Sequence, residues 1–203
     1  MTDFAASVEA AKWHLSELDA ASGDADHGAN LSRGMTALMN RIRAGATPET
    51  PGAFLKLAGL TMVDTIGGSS GALYGTIFLR MATTAGLEAA DIDGPTMARA
   101  LRAAAQGITD RGRARPGDKT MLDAMEPAAT AFAAAIDACQ NLAYAWKSAA
   151  AAADAGAVAT AGMRARRGKS SYIGDKSIGT VDPGAASVAL MVSSAAKVIG
   201  RPR

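Results

Sequence analysis

Aromatic side chains make up only 4% of this 203-residue chain, and Cys139 is its single cysteine. The first shortage removes the stacking residues that a nucleic-acid surface interleaves with its arginines. The net charge of +2 and pI of about 8.8 are also too mild to imply nucleic acid. With one cysteine an intramolecular disulfide is impossible, which suits a reducing cytoplasm, and Cys139 is expected to be inert. No apolar run approaches the ~20 residues of a membrane span. The start "MTDFAASVEAAKWHLSELD" lacks the basic opening and apolar core of a signal peptide. These absences predict a soluble, cytoplasmic protein with neither membrane nor nucleic acid as partner.

What the chain has in abundance is alanine, while β-branched runs are scarce, a mix that favours helices packed through small side chains. Eight helical segments can be read. In the first, Phe4, Val8, Ala11, Leu15 and Leu18 recur at helical spacing and form one apolar stripe, with Trp13 opposite and Asp19 near its edge. His14, beside the stripe, reads as structural, and Ser22-Gly23 ends the run. The second helix is expected over about 30–43, the third over 53–65, the fourth over 72–85 and the fifth from Pro95 to about Arg111. A sixth covers about 120–138 with a kink at Pro127, and a seventh runs from Leu142 to about Arg167. Asp182-Pro183 then opens the eighth as cap and first-turn proline. No linker or repeat divides the chain. Short connections imply antiparallel neighbours, so residues 1–203 are read as one all-α domain, an eight-helix antiparallel up-and-down bundle.

In such a bundle alternate connections share an end. The connections "SGDADHG", "GGSSG", "GRARPGDKT" and "GKSSYIGDKSIGTVDPG" fall together, whereas "AGATPETPG", "GLEAADIDG" and "CQN" face the other way as ordinary turns. Every loop with unusual chemistry therefore lies on one rim. Charge is sorted accordingly. Six acidic residues stand against one lysine up to Asp26, and basic residues dominate 99–119 and 164–176. Most of those arginines are expected on solvated helix faces.

Asp24 and Asp26 alternate, so an extended loop would point both to one side, and Asp19 approaches from the preceding helix end. Carboxylates about 4–5 Å apart repel by roughly 3–4 kcal/mol per pair at an effective dielectric near 20, so such a cluster needs a cation or protons. A calcium hand is disfavoured, because the twelfth position from Asp24 is Met35 and not glutamate. Magnesium fits better, since a few carboxylates, water and substrate phosphates complete its shell. Helix-capping aspartates in a solvated turn are the plainer alternative.

"IGGSSGALYG" offers free backbone N–H groups and two hydroxyls at the start of the fourth helix, a place that favours anions. It is neither a Walker loop nor a dinucleotide fingerprint, and close helix packing through Gly71 and Gly75 would explain the glycines equally well. His27 could donate to a phosphate or merely stabilise its turn, and Met121 could face a flat ring or fill the core.

Taken together, "LDAASGDADHGANLSRG", "TMVDTIGGSSGALYGT", "RGRARPGDKTMLD" and "ARRGKSSYIGDKSIGTVDPGA" strongly resemble the nucleotide-binding L subunit of dihydroxyacetone kinases, also found as the C-terminal domain of single-chain dihydroxyacetone kinases. The resemblance spans residues 18–185. It implies a barrel-like bundle with Mg²⁺ and ADP or ATP at one end. Asp19, Asp24 and Asp26 would hold two Mg²⁺ ions. Phosphate contacts would fall on His27, Gly28, Ala29, Asn30, Ser69 and Ser70. Nucleoside contacts would fall near Gly112 and Met121, with Asp182, Pro183 and Gly184 completing the pocket. Lys169 stands where the family often has arginine, keeping the charge but losing the bidentate fork, and Asp175-Lys176 replace a Glu-Arg pair.

The resemblance further implies that ADP is a retained cofactor, rephosphorylated in place by a phosphocarrier protein of the phosphotransferase system. The phosphoryl group would then pass to dihydroxyacetone, or a related small ketose such as erythrulose, held through a histidine on a separate K subunit. No general base is expected from this chain. The rival readings are the L subunit of an ATP-dependent dihydroxyacetone or erythrulose kinase and a non-enzymatic Mg–nucleotide interaction module. Pairing with a second copy into a homodimer is also open.

Overall fold

The computed structural model describes residues 1–21 and 24–201. Eight α-helices follow one another: α1 (Thr2–Ala20), α2 (His27–Arg43), α3 (Pro51–Thr65), α4 (Gly68–Ala85), α5 (Gly94–Gly112), α6 (Leu122–Asp137), α7 (Leu142–Ala159) and α8 (Pro183–Ile199). Short 3₁₀ segments cover Thr160–Gly162 and Lys169–Ser177. There is no strand among the described residues. Each helix packs against the next, and α8 returns to α1, closing the chain into a ring. No helix is long and apolar enough to cross a membrane.

The core is built from the predicted stripes. Phe4, Val8 and Leu15 of α1 are buried, whereas Trp13 on the opposite face is 77% exposed. His14 is exposed as well. Alanine fills most of the contacts elsewhere, as at Ala124, Ala128, Ala149 and Ala153 between α6 and α7. Phe132 and Trp146 cross that interface edge to face, with centroids 5.0 Å apart. The helix α6 runs through Pro127 without interruption. Proline cannot donate to the Asp123 carbonyl one turn back, and the bare Gly156 of α7 lies against that oxygen. A Cβ on Gly156 would sit 2.1 Å from it.

Helix ends differ from expectation in ways that shape the site. The start of α3 follows local cues: Thr50 accepts the Ala53 N–H at 3.2 Å and Pro51 takes the first position. In contrast, α2 begins three residues earlier than the pattern predicts and α4 four residues earlier. The seventh helix stops at Ala159, eight residues short of Arg167. Thr160 ends it: its hydroxyl donates to the Ala157 carbonyl at 2.5 Å and accepts the Asp182 N–H at 2.8 Å. The expected break at Ser22-Gly23 lies outside the described residues.

Candidate functional site

Residues from all four predicted loops line one cleft at one end of the ring. They include Asp19, Asp24, Asp26, His27 and Asn30; Gly67 to Ser70; Gly112, Lys119 and Met121; and Lys169 with Asp182, Pro183 and Gly184. Of the expected metal, phosphate and nucleoside contacts, all but Gly28 and Ala29 line it. Gly28 faces α1 instead, where a Cβ would lie 2.0 Å from the Lys12 carbonyl oxygen, and Ala29 is exposed.

One wall is acidic. An oxygen of each of Asp19, Asp24 and Asp26 lies within 4.8 Å of the others. The convergence does not arise from an extended loop, because Ala25 between two of them is left-handed, with φ of 60°. A non-glycine residue there costs on the order of 1 kcal/mol. Asp19 Oδ2 accepts the N–H groups of Asp26 at 2.9 Å and His27 at 3.1 Å. Asp26 stands at the N-cap of α2 but makes no side-chain capping bond, so the preceding helix caps the next. Lys169 donates to Asp24 Oδ2 from the far side of the cleft. That ammonium holds the Asp24 carboxyl below the usual carboxylate range, and Asp24 in turn raises the lysine. Three carboxylates of this spacing, with no hydrogen bond to Asp19 Oδ1 among the described residues, fit a hard divalent cation such as Mg²⁺.

The adjoining wall is the start of α4. Gly67 is its N-cap and offers no side chain to the first-turn N–H groups, leaving an electropositive end toward the cleft. Gly71 also serves packing, since a Cβ there would meet the Ile66 carbonyl oxygen at 2.0 Å. The packing expected at Gly71 and Gly75 is present, since a Cβ on Gly75 would likewise meet Val63 at 2.3 Å. Ser70 Oγ lies 3.2 Å from His27 Nδ1, and His27 Nε2 lies 2.9 Å from Ser187 Oγ on α8. The imidazole is buried, which pushes its pKa down against the pull of Asp19 and Asp26. Both ring nitrogens are thus engaged, and His27 joins three helices.

The third wall comes from the loop after α5 and the start of α8. Asp118 Oδ2 accepts the Arg115 N–H at 3.0 Å and the Arg167 guanidinium at 3.2 Å. Asp123 accepts the N–H groups of Gly117 and Thr120 at 2.5 and 2.7 Å. These bonds fold the loop back on itself and carry Lys119 inward, at φ of 60° and only 2% exposed. Its ammonium donates to the carbonyls of Thr160, at 2.6 Å, and Thr180. Asp182 caps α8 through the Ala185 N–H at 2.8 Å. Burial pushes the Asp182 carboxyl up to about 7, although the Ala185 bond and Lys119 pull it down. Met121 is 3% exposed, and its Cβ lies 3.4 Å from where a Gly184 Cβ would stand, so it is core that also floors the cleft.

Sequence reasoning missed Lys119, Asp118, Asp123, Tyr74 and Ser187. "GDKTMLD" was visible as an acidic–basic loop, but nothing local shows that its lysine turns inward. Tyr74 and Ser187 read as ordinary helix residues.

An acidic, oxygen-rich wall adjoining an uncapped helix end, at one end of a ring of helices, offers together the groups that suit a cation and those that suit an anion. The family model described as the DAK2 domain matches residues 21–197, and the chain belongs to that family. It is 37% identical over 191 residues to the ADP-binding subunit DhaL of a PEP-dependent dihydroxyacetone kinase from Listeria innocua, covering 94% of this chain and 89% of that protein. The corresponding subunit from Escherichia coli is 37% identical over 180 residues, 88% of this chain and 84% of that one. The crystal structure of the dihydroxyacetone kinase of C. freundii superposes with a TM-score of 0.75 at 25% identity over 97% of this chain. A second structure of that kinase, in complex with AMP-PNP and Mg²⁺, gives 0.73 over the same share. The chain spans about a third of the length of the C. freundii enzyme.

Proposed function

We propose that this chain is the nucleotide-carrying subunit of a dihydroxyacetone kinase. ADP is retained in the cleft with two Mg²⁺ ions and rephosphorylated in place by a phosphocarrier protein of the phosphotransferase system. The γ-phosphoryl group then passes to dihydroxyacetone, or a related small ketose, on a separate K subunit. The observation that carries this reading is the meeting of Asp19, Asp24 and Asp26 with the uncapped start of α4 in one cleft. When bound, the cations neutralise phosphoryl charge during in-line transfer. The chain's own residues hold the ligand: the three aspartates take the cations, and Ser69, Ser70 and Asn30 meet phosphate. Met121 with Asp182, Pro183 and Gly184 walls the nucleoside, and Lys169 closes the outer edge. Asp24→Ala/Asp26→Ala, assayed with a matched K subunit and the phosphocarrier system, should lose transfer; retained transfer overturns the assignment.

A second reading replaces the phosphocarrier with free ATP. The 33% identity to the L-erythrulose kinase of Pectobacterium atrosepticum, of which this chain covers 31%, bears on the ketose and supports erythrulose as a substrate under either donor. ADP that co-purifies and survives gel filtration supports the first reading, and rapid exchange with free ATP supports the second.

A further inference from the structure

The buried hydrogen-bond chain behind the cleft has a direction, and Tyr74 and Ser187, which do not line the cleft themselves, set it. Tyr74 is fully buried on α4, and its hydroxyl donates to Ser187 Oγ at 2.7 Å. Ser187, also fully buried, therefore accepts from the phenol and has one proton left to give. That proton has two acceptors within reach: His27 Nε2 at 2.9 Å and the Gly184 carbonyl at 3.0 Å. The Gly184 carbonyl lies in the first turn of α8, where it can accept the backbone N–H of Val188 one turn on. A neutral imidazole, in contrast, has a single acceptor nitrogen that must be met when buried.

The two choices have opposite consequences at the cleft. If Ser187 donates to Nε2, the ring proton sits on Nδ1 and is given to Ser70 Oγ, 3.2 Å away. The Ser70 proton is then free to point into the cleft. If Ser187 donates to Gly184, Nε2–H points back at Ser187 and Nδ1 needs the Ser70 proton. Ser70 would then turn only lone pairs toward a cleft it shares with Asp19, Asp24 and Asp26. Electrostatics favours the first arrangement, because a serine proton is attracted to carboxylates and phosphate and a lone pair is repelled. A doubly protonated His27 would reverse the Ser187–His27 link and turn the Ser187 proton to Gly184, but Ser70 would still accept from Nδ1–H.

We propose that Tyr74 and Ser187 are positioning residues that lock His27 with its proton on Nδ1, making Ser70 a hydrogen-bond donor aimed into the cleft. The donor chain runs Tyr74 to Ser187 to His27 to Ser70. It suits an anionic oxygen such as a nucleotide phosphate and rests on the nucleotide reading given above. It also accounts for a buried phenol on α4 and a buried serine on α8 that meet across 113 residues of sequence.

The test uses the chain's two histidines. His14→Gln on the exposed face of α1 leaves His27 alone, and long-range ¹⁵N–¹H correlation spectra of the ligand-free protein then read its ring nitrogens directly. A protonated Nδ1 is expected; a protonated Nε2 with bare Nδ1 overturns the proposal whether or not nucleotide binds. Tyr74→Phe should weaken Mg–ADP binding by at least about fivefold by calorimetry and bring in the Nε2–H form. Unchanged affinity in a Tyr74→Phe protein of native helicity overturns the coupling. Wild-type protein that fails to bind ADP overturns the nucleotide reading instead, and the spectrum still decides the direction of the chain.

Discussion

Lys169 donates to Asp24 across 145 residues of sequence, joining the 3₁₀ segment after α7 to the acidic turn before α2. The lysine thereby occupies the position of a counter-ion at the one carboxylate that stands furthest into solvent. Removing it has two opposed consequences. Lys169→Ala frees Asp24, so nucleotide-free protein should bind Mg²⁺ more tightly by about two- to fivefold, the range of an exposed ion pair. On the proposed nucleotide reading ADP binding should weaken, because a cation lining the cleft is lost. Lys169→Arg should keep both properties near the wild type. Calorimetric titrations of Mg²⁺ alone and of Mg–ADP measure the two signs separately, and a Lys169→Ala protein that loses both affinities would show the lysine to be structural.

Lys119 is a buried ammonium held by two backbone carbonyls and facing Asp182. Lys119→Met keeps much of the volume but leaves both carbonyls without this donor and a buried carboxyl without its cation. Stability should fall by about 2–3 kcal/mol, as expected for lost hydrogen bonds to a charged group. Urea denaturation measures it. The loss should exceed that of Lys197→Met, whose ammonium is largely exposed and pairs with Asp3.

The bundle was legible because its signals are local. The stripe of Phe4, Val8 and Leu15 follows helical period, and Asp182 before Pro183 marks a start that the structure places at the same residue. Asp19, Asp24 and Asp26 were legible as a cluster, although the left-handed Ala25 that brings them together was not. The remaining features depend on which way a helix is rotated and on partners far along the chain. Asp19 capping α2 explains why that helix starts at His27 and not at Asn30. Thr160 ends α7 through a hydroxyl that a loop 22 residues later requires. The Tyr74–Ser187 pair has the same character. Residues of this kind look like ordinary helix filler until the ring is closed.

Gly28 sets how closely α1 and α2 approach beside the acidic wall. In Gly28→Ala the new methyl would meet the Lys12 carbonyl oxygen at 2.0 Å, and backbone cannot swing aside as a side chain can. The helices must part, at a cost of about 1–3 kcal/mol. The shift also draws Asp19 away from the N–H groups of Asp26 and His27, so Mg²⁺ affinity should fall with stability. Ala29→Ser on the neighbouring exposed position should stay within about 0.5 kcal/mol of the wild type. Denaturation curves for the pair separate a packing effect from a general intolerance of this turn.

Asp182 makes the stability of the fold depend on pH in a direction opposite to that of most carboxylates. Its folded pKa, about 7, lies above the ordinary 3.8, so the folded state holds the proton more tightly than the unfolded chain. The favourable contribution is complete below pH 3.8 and is lost as pH rises through 7. Asn at this position keeps an oxygen to accept the Ala185 N–H but does not titrate. Relative to Asp182→Asn, the wild type should therefore lose about 1–3 kcal/mol between pH 5 and 8. His27 acts in the other sense, since burial lowers its pKa and its contribution is lost as pH falls below 6.5. Both proteins carry His27, so it largely cancels in the comparison. Urea denaturation of the two proteins at pH 5 and pH 8 gives the difference, and a gap that does not change with pH would mean that Asp182 stays ionised in its buried cap.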